Sequence, residues 1–266
     1  MAATILDQLA DYARLRVKEA KERVSAEEME KKARAAAAAD PGEPFRFEKA
    51  LERPGLSFIC ECKKASPSRG LIAPDFPYAE IAEDYEKAGA DCISVLTEPK
   101  WFLGENRFLK EIAERVRIPC LRKDFTVDPY MIFEAKTLGA SAVLLICSIL
   151  GLSELKQYIQ LAHSLGMSAL VEAHDAVEIQ NALQAGARII GVNNRNLKDF
   201  TVDAGNSLSL RKLVPEGVLF IAESGIKTAE DVAALRRAGV DACLVGETLM
   251  RAPDRKAKLQ ELRGAE

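Results

Sequence analysis

The chain holds only two histidines, His163 and His174, and a single tryptophan, and its six cysteines form no CxxC and no Cys/His cluster. Each scarcity excludes a class of function. Two histidines leave almost no basis for a His-based metal site. Cys60, Cys62, Cys92, Cys120, Cys147 and Cys243 sit mostly within apolar runs, where they read as reduced, buried small hydrophobes and not as a disulfide framework. No apolar run approaches the roughly 20 residues that span a bilayer. The start, MAATILDQLADYARLRVKEAK, carries acidic residues and lacks the apolar core of a signal peptide. Charge of one sign is also lacking: the net charge is -3, from interspersed acids and bases, so no field favours nucleic acid or an anionic membrane. The expectation is a cytoplasmic protein, monomeric or at most a weak homodimer, whose partner is a small molecule caught locally.

What is present is repetition. From residue 57 onward, short apolar runs are each followed by a turn and an amphipathic stretch: SFICEC, DCISVL, IPCLRK, SAVLLIC, MSALVE, RIIGVN, VLFIAE and DACLVG. Near-continuous apolar strands alternating with helices indicate a parallel sheet covered by helices. Several helices close on Gly89, Gly139, Gly186 or Gly239 just before the next strand, as left-handed caps with short return loops do. Eight such units in 266 residues predict an α/β fold, a single closed (β/α)8 or TIM barrel, which uses about 250 residues. An open doubly wound sheet is the alternative. Residues 1–46, rich in Ala, Glu and Lys, are read as a helical extension ended by the turn at 41–44, and 47–266 as the barrel.

In such a barrel the site lies at the C-terminal ends of the strands, and one inward layer draws its side chains from alternate strands. The odd strands end in charge: Glu61 and Lys63 on the first, Lys123 on the third, Glu172 on the fifth and Glu223 on the seventh. Glu61 and Lys63 are two apart and share a face, whereas Cys60, Cys62 and Lys64 point the other way. Two lysines and three glutamates in one confined mouth are the equipment of general acid/base catalysis, although any single one of them also fits a rim ion pair. After strand six, Asn193, Asn194 and Arg195 are candidates to hold a carboxylate or hydroxyl, Arg195 by its bidentate fork.

Strands seven and eight run into AESGI and VGETL, where Gly225 and Gly246 let the backbone approach a ligand. Paired on the loops that cradle phosphate in this fold, they predict a phosphorylated substrate. Ser66 and Ser68, in the long loop after strand one, are further hydroxyl donors, and that loop is long enough to fold over the mouth. Trp101 and Phe102, after strand two, are read as packing or as an apolar lid.

The motifs ECKKASPSRG, LRKDF, LVEAH, GVNNRNL, IAESGI and LVGETLM, in this order and spacing, resemble the indole-3-glycerol phosphate synthase family from about residue 47 to 254. The resemblance implies conversion of 1-(2-carboxyphenylamino)-1-deoxyribulose 5-phosphate to indole-3-glycerol phosphate with loss of CO2 and water, without a cofactor. It implies Lys123 as general acid for ring closure, aided by Glu172, and Glu61 with Lys63 in the later dehydration, the division between the lysines being left open. Asn193 and Arg195 would hold the carboxylate, and Glu223 the substrate hydroxyls. Ser224, Gly225, Gly246 and Glu247 would place backbone groups on the phosphate, and Phe125 and Leu197 would wall the aromatic ring. Two positions depart from the family's usual pattern, Asn196 for Asp and Arg69 for Lys. Phosphoribosylanthranilate isomerase is a weaker resemblance, since that family places a Cys at strand one and an Asp at strand six. A catalytically inactive phosphate-binding barrel is the remaining alternative.

Overall fold

The computed structural model describes residues 4–264 apart from Pro41 and 197–199; Pro41 of the expected turn and Leu197 therefore lie outside the described residues. Eight parallel strands close into a barrel. They are β1 (Ser57–Cys62), β2 (Cys92–Leu96), β3 (Cys120–Lys123), β4 (Ala142–Ile146), β5 (Ser168–Ala173), β6 (Ile189–Asn193), β7 (Leu219–Glu223) and β8 (Ala242–Val245). Closure is made by β1, which pairs with β8 on one side and β2 on the other. The closed barrel is the predicted architecture, and the open sheet is excluded.

Strand alternation sorts the apolar residues into two cores. Ile59, Cys92, Leu121, Leu144, Leu170, Ile189 and Ile221 fill the barrel interior. Phe58, Cys60, Ile93, Val143, Val171, Ile190 and Phe220 face the helical ring. The return loops work as read: Gly89, Gly139, Gly186 and Gly239 all take positive φ, a conformation that a side chain would strain. At the other end of the helices, side-chain caps fix the entry from the strand. Asp128 caps Pro129–Thr137, Asp175 caps Ala176–Ala185, and Thr228 forms a capping box with Asp231.

Ahead of the barrel stand α1 (Ile5–Arg23) and α2 (Ala26–Ala39), followed by the short α3 (Arg46–Leu51). Helix α3 delivers Phe47, Ala50 and Leu51 to the interior core, and α1 adds Leu9 and Ala13 to the same cluster. Two ion pairs hold α1 to the barrel: Arg16 with Asp124, the residue after β3, and Lys21 with Asp128. Ile5 and Leu9 reach the cavity at the C-terminal mouth of the barrel.

Candidate active site

The charged layer forms because the odd strands all aim the last inward residue at the axis. Glu61, Lys123, Glu172 and Glu223 are supplied by β1, β3, β5 and β7. The even strands offer uncharged partners in register: Ser94 beside Glu61, Leu96 beside Lys123, and Leu244 and Asn193 beside Glu223. Two glycines make the room. A Cβ on Gly191 would run into the Glu223 carboxylate, and one on Gly246 into Glu61 and the Lys63 ammonium.

The result is two ion-paired clusters at the mouth. Lys123 Nζ lies 2.9 Å from Glu172 and 2.8 Å from Glu223, and Lys63 Nζ lies 2.6 Å from Glu61. Asn193 Nδ2 donates to the second oxygen of Glu172 at 3.2 Å. The three glutamates are at most 3% exposed, so their charges interact through protein and not through water. Lys64 is excluded from the set by parity, as read from the sequence, and its carbonyl instead accepts from Ile72 and Ala73 N–H.

Burial and neighbouring charge drive the two carboxylates on Lys123 in opposite directions. Burial opposes ionisation of Glu172, but Lys123 and His174 outweigh it and hold its carboxyl below the usual range. For Glu223, burial combines with repulsion from Glu172 to exceed the pull of Lys123, and its carboxyl is raised, to about 7. Burial works against the Lys123 ammonium, yet Glu172, Glu223 and Glu61 together raise it and keep it charged. Lys123 is thus held as a cation between an ionised carboxylate and one that titrates near neutrality, and the proton on Glu223 is the one that exchanges near pH 7.

The other predicted residues converge on the same cavity, of about 570 Å³. Ser66, Phe125, Asn193 and Arg195 line it, as do Ser224, Gly225, Gly246 and Glu247 on the loops after β7 and β8. Ser224 and Gly225 are consecutive left-handed residues, which turns the backbone sharply at the end of β7. Thr248 Oγ1 donates to the Ile226 carbonyl at 2.7 Å and ties these two loops together. The Glu247 carboxylate would repel an anion, but it is engaged by Arg69 at 3.2 Å and Arg251 at 3.1 Å. Arg195 keeps its N–H groups near the cavity, with Nη1 donating to the Phe200 carbonyl at 3.3 Å. The loop after β1 folds as a hairpin, Ala65–Ser66 against Gly70–Leu71, beside the mouth. Phe102 lines the cavity and packs on Phe125, with ring centroids 6.0 Å apart, whereas Trp101 turns away onto Tyr12 of α1.

Asn194 departs from the expectation that it holds substrate. It is buried, its amide donates to the Ser224 carbonyl and its Oδ1 accepts from Ser207 N–H, so it braces the loops after β6 and β7. Its odd-even position, opposite in parity to Asn193, is the signal that distinguishes the two.

Three other residues carry structure that was not assigned from the sequence. Arg122 is 2% exposed and anchors Thr97, Asn106, Glu134 and the Met131 carbonyl behind the barrel wall. Asp124 accepts from Thr97 Oγ1 and from Nη1 and Nη2 of Arg16. His174 approaches Glu172 from outside the cavity.

A closed (β/α)8 barrel with a buried lysine–glutamate cluster at its mouth and paired glycine loops on its last two strands defines an enzyme of the barrel class that handles a small anionic substrate. The fold alone is shared with 3-hexulose-6-phosphate synthase (TM-score 0.65, 17% identity, covering 78% of this chain and 98% of that one) and with the enzyme of that name from Salmonella typhimurium (TM-score 0.64, 15% identity, 78% and 96%). Sequence is more specific. The chain belongs to the indole-3-glycerol phosphate synthase family, whose model, described as Indole-3-glycerol phosphate synthase, matches residues 6–262. It is 54% identical to the indole-3-glycerol phosphate synthase of Ruminiclostridium cellulolyticum over 98% of this chain and 99% of that one. Against the Endomicrobium trichonymphae relative it is 51% identical, over 97% and 99%.

Proposed function

We propose that the chain is an indole-3-glycerol phosphate synthase in activity: a carboxy-lyase that closes, decarboxylates and dehydrates 1-(2-carboxyphenylamino)-1-deoxyribulose 5-phosphate in tryptophan biosynthesis. The single observation that carries this reading is the Lys123 ammonium bracketed by Glu172 and Glu223, with the separate Glu61–Lys63 pair in the same cavity.

In the first step the ring carbon bearing the carboxylate attacks the ketone carbon, and Lys123 delivers a proton to the carbonyl oxygen, which becomes a hydroxyl. Glu172, held ionised, stabilises the positive charge that develops on the anilino nitrogen. Loss of CO2 returns the bonding electrons to the ring and restores its aromaticity. In the last step Glu61 removes a proton while Lys63 protonates the departing hydroxyl, which leaves as water. Two separated acid–base pairs support this division between the lysines. Glu223 returns a proton to Lys123 and receives substrate hydroxyls.

Arg195 and Asn193 take the carboxylate, Ser66 adds a hydroxyl donor, and Phe125 walls the ring; Leu197, expected beside it, lies outside the described residues. Ser224, Gly225, Gly246 and Glu247 offer backbone N–H groups to the phosphate. The reading treats residues 1–46 as a helical extension and 47–266 as the catalytic barrel, acting as a cytoplasmic monomer. No helix among the described residues is long and apolar enough to cross a membrane.

Incubation with the carboxyphenylamino-deoxyribulose phosphate while indole fluorescence is followed tests the activity. Turnover at micromolar enzyme is expected, and silence at that concentration overturns the assignment. Sedimentation at the assay concentration checks the monomer.

A further inference from the structure

His174 is one of two histidines in the chain, and it follows the last residue of β5, two positions after Glu172. Its Nδ1 lies 3.2 Å from Glu178 Oε2 and its Nε2 lies 3.5 Å from Glu172 Oε1. Glu178 is itself fixed. It accepts from the Ser148 hydroxyl at 2.5 Å and from the His174 backbone N–H at 2.8 Å, and its own N–H is capped by Asp175. Asn206 Nδ2 donates to the His174 carbonyl, so the loop after β6 holds the histidine from the other side. The imidazole Nε2 is buried and makes no hydrogen bond, with Glu172 at 3.5 Å as its paired acid.

A neutral imidazole with Nδ1–H on Glu178 would aim a lone pair of Nε2 at a carboxylate oxygen. An imidazolium puts an N–H on each side, one for each glutamate. Its nearest neighbours are acidic or neutral, Glu172 from β5, Glu178 from the following helix and Ser148 from the loop after β4, with Glu223 of β7 farther off and the Lys123 ammonium of β3 on the other oxygen of Glu172. The glutamates together outweigh the burial that opposes its charge and raise its pKa above that of an ordinary histidine.

Resting on the proposed reaction, we propose that His174 is a positioning residue: an imidazolium strut between Glu178 and Glu172 that makes Glu172 the ionised carboxylate of the Lys123 cluster and leaves Glu223 as the one that carries the proton. Two carboxylates share one lysine at 2.9 and 2.8 Å, so the lysine alone cannot tell them apart. The second cation stands on the Glu172 side only. Asn193, which donates to the same Glu172 oxygen, is neutral and cannot supply that bias.

The test has two arms. In proteins labelled with 13C at the glutamate carboxyls, with Glu172→Gln assigning the signal, the Glu172 midpoint should move up by about one pH unit or more in His174→Gln, the size expected for losing a nearby opposite charge. In His174→Lys, which keeps a cation, the midpoint should return toward wild type. The acid limb of kcat/KM should move the same way in the same variants. An unmoved Glu172 midpoint in His174→Gln overturns the proposal, as does full rescue by this uncharged, hydrogen-bonding side chain. A wild-type His174 signal that titrates below the usual histidine value also overturns it, and needs no variant to fold. The carboxyl and imidazole titrations use no substrate, so a failure of the synthase reading and a failure of this one are separately visible.

Discussion

Replacing Lys123 by Met removes the cation shared by two buried carboxylates and keeps most of the side-chain volume. With Glu172 and Glu223 each about 2% exposed, water cannot take over the role of the ammonium. Removing one partner of a buried ion pair costs about 3–5 kcal/mol. That figure holds only while both carboxylates remain ionised, which gives the prediction its pH dependence. In the wild type the raised carboxyl of Glu223 favours the folded state below the ordinary glutamate value, and this contribution is lost as pH climbs toward about 7. Without Lys123 the carboxyl of Glu172 also loses the charge that lowers it, so both groups take up protons on folding and both lose stability as pH rises. Urea unfolding at pH 5, 6, 7 and 8 should therefore show a gap between wild type and Lys123→Met that widens with pH, small at pH 5 and about 3–5 kcal/mol at pH 8. Turnover should fall by about 10² or more at every pH, the range for loss of a general acid. A gap that stays constant from pH 5 to 8 would refute the assignment of a shared buried proton to this cluster.

Gly246→Ala tests the second cluster. The backbone there has negative φ, -117, so it is not the left-handed region that demands glycine, and an added Cβ would meet Glu61 and Lys63. Overpacking should cost about 1–3 kcal/mol, and displacing the pair should lower kcat/KM about 10-fold or more; unchanged kinetics would mean that the pair takes no part. Arg16→Leu strips Asp124 of its bidentate partner and should loosen α1, read as faster limited proteolysis within residues 5–23 than in the barrel. Equal protection in both proteins would contradict the latch. Glu172→Gln should cut kcat by about 10² or more, the range for loss of an acid or base. Near-normal turnover in that variant would refute the role given to Glu172.

Much of the fold was legible because it repeats. Eight apolar runs and four glycine caps specify strand and return loop by local chemistry, and alternate-strand layering then dictates which charges meet. Glu61, Lys123, Glu172 and Glu223 could be assigned to one layer before any coordinate, because parity is a property of the strand and not of its neighbours. Asn194 was misread for the converse reason. It follows the last residue of β6, and its type fits a ligand as well as it fits a brace, so only the positions of Ser224 and Ser207 show which. Arg122 and Asp124 flank Lys123 in LRKDF, yet their partners Glu134, Thr97 and Arg16 come from three other segments. No periodicity in the sequence brings those together.

That arrangement around β3 gives the extension a physical tie to the chemistry. Lys123 points into the cavity, its neighbour Arg122 and the Asp124 carboxylate join a buried network, and Asp124 and Phe125 both contribute to the cavity wall. Asp124 is held below the ordinary carboxylate range: burial opposes its charge, but Arg16 and Arg122 outweigh it. Its ionised form is thus maintained in part by a residue of α1. The same helix contributes Ile5 and Leu9 to the cavity. If α1 detached, Asp124 would lose its bidentate partner in a site 1% exposed, and the backbone that aims Lys123 would lose one of its two fixed flanks. The extension is therefore part of the support that keeps Lys123 in line, and a perturbation of Arg16 should reach kcat even though Arg16 does not line the cavity.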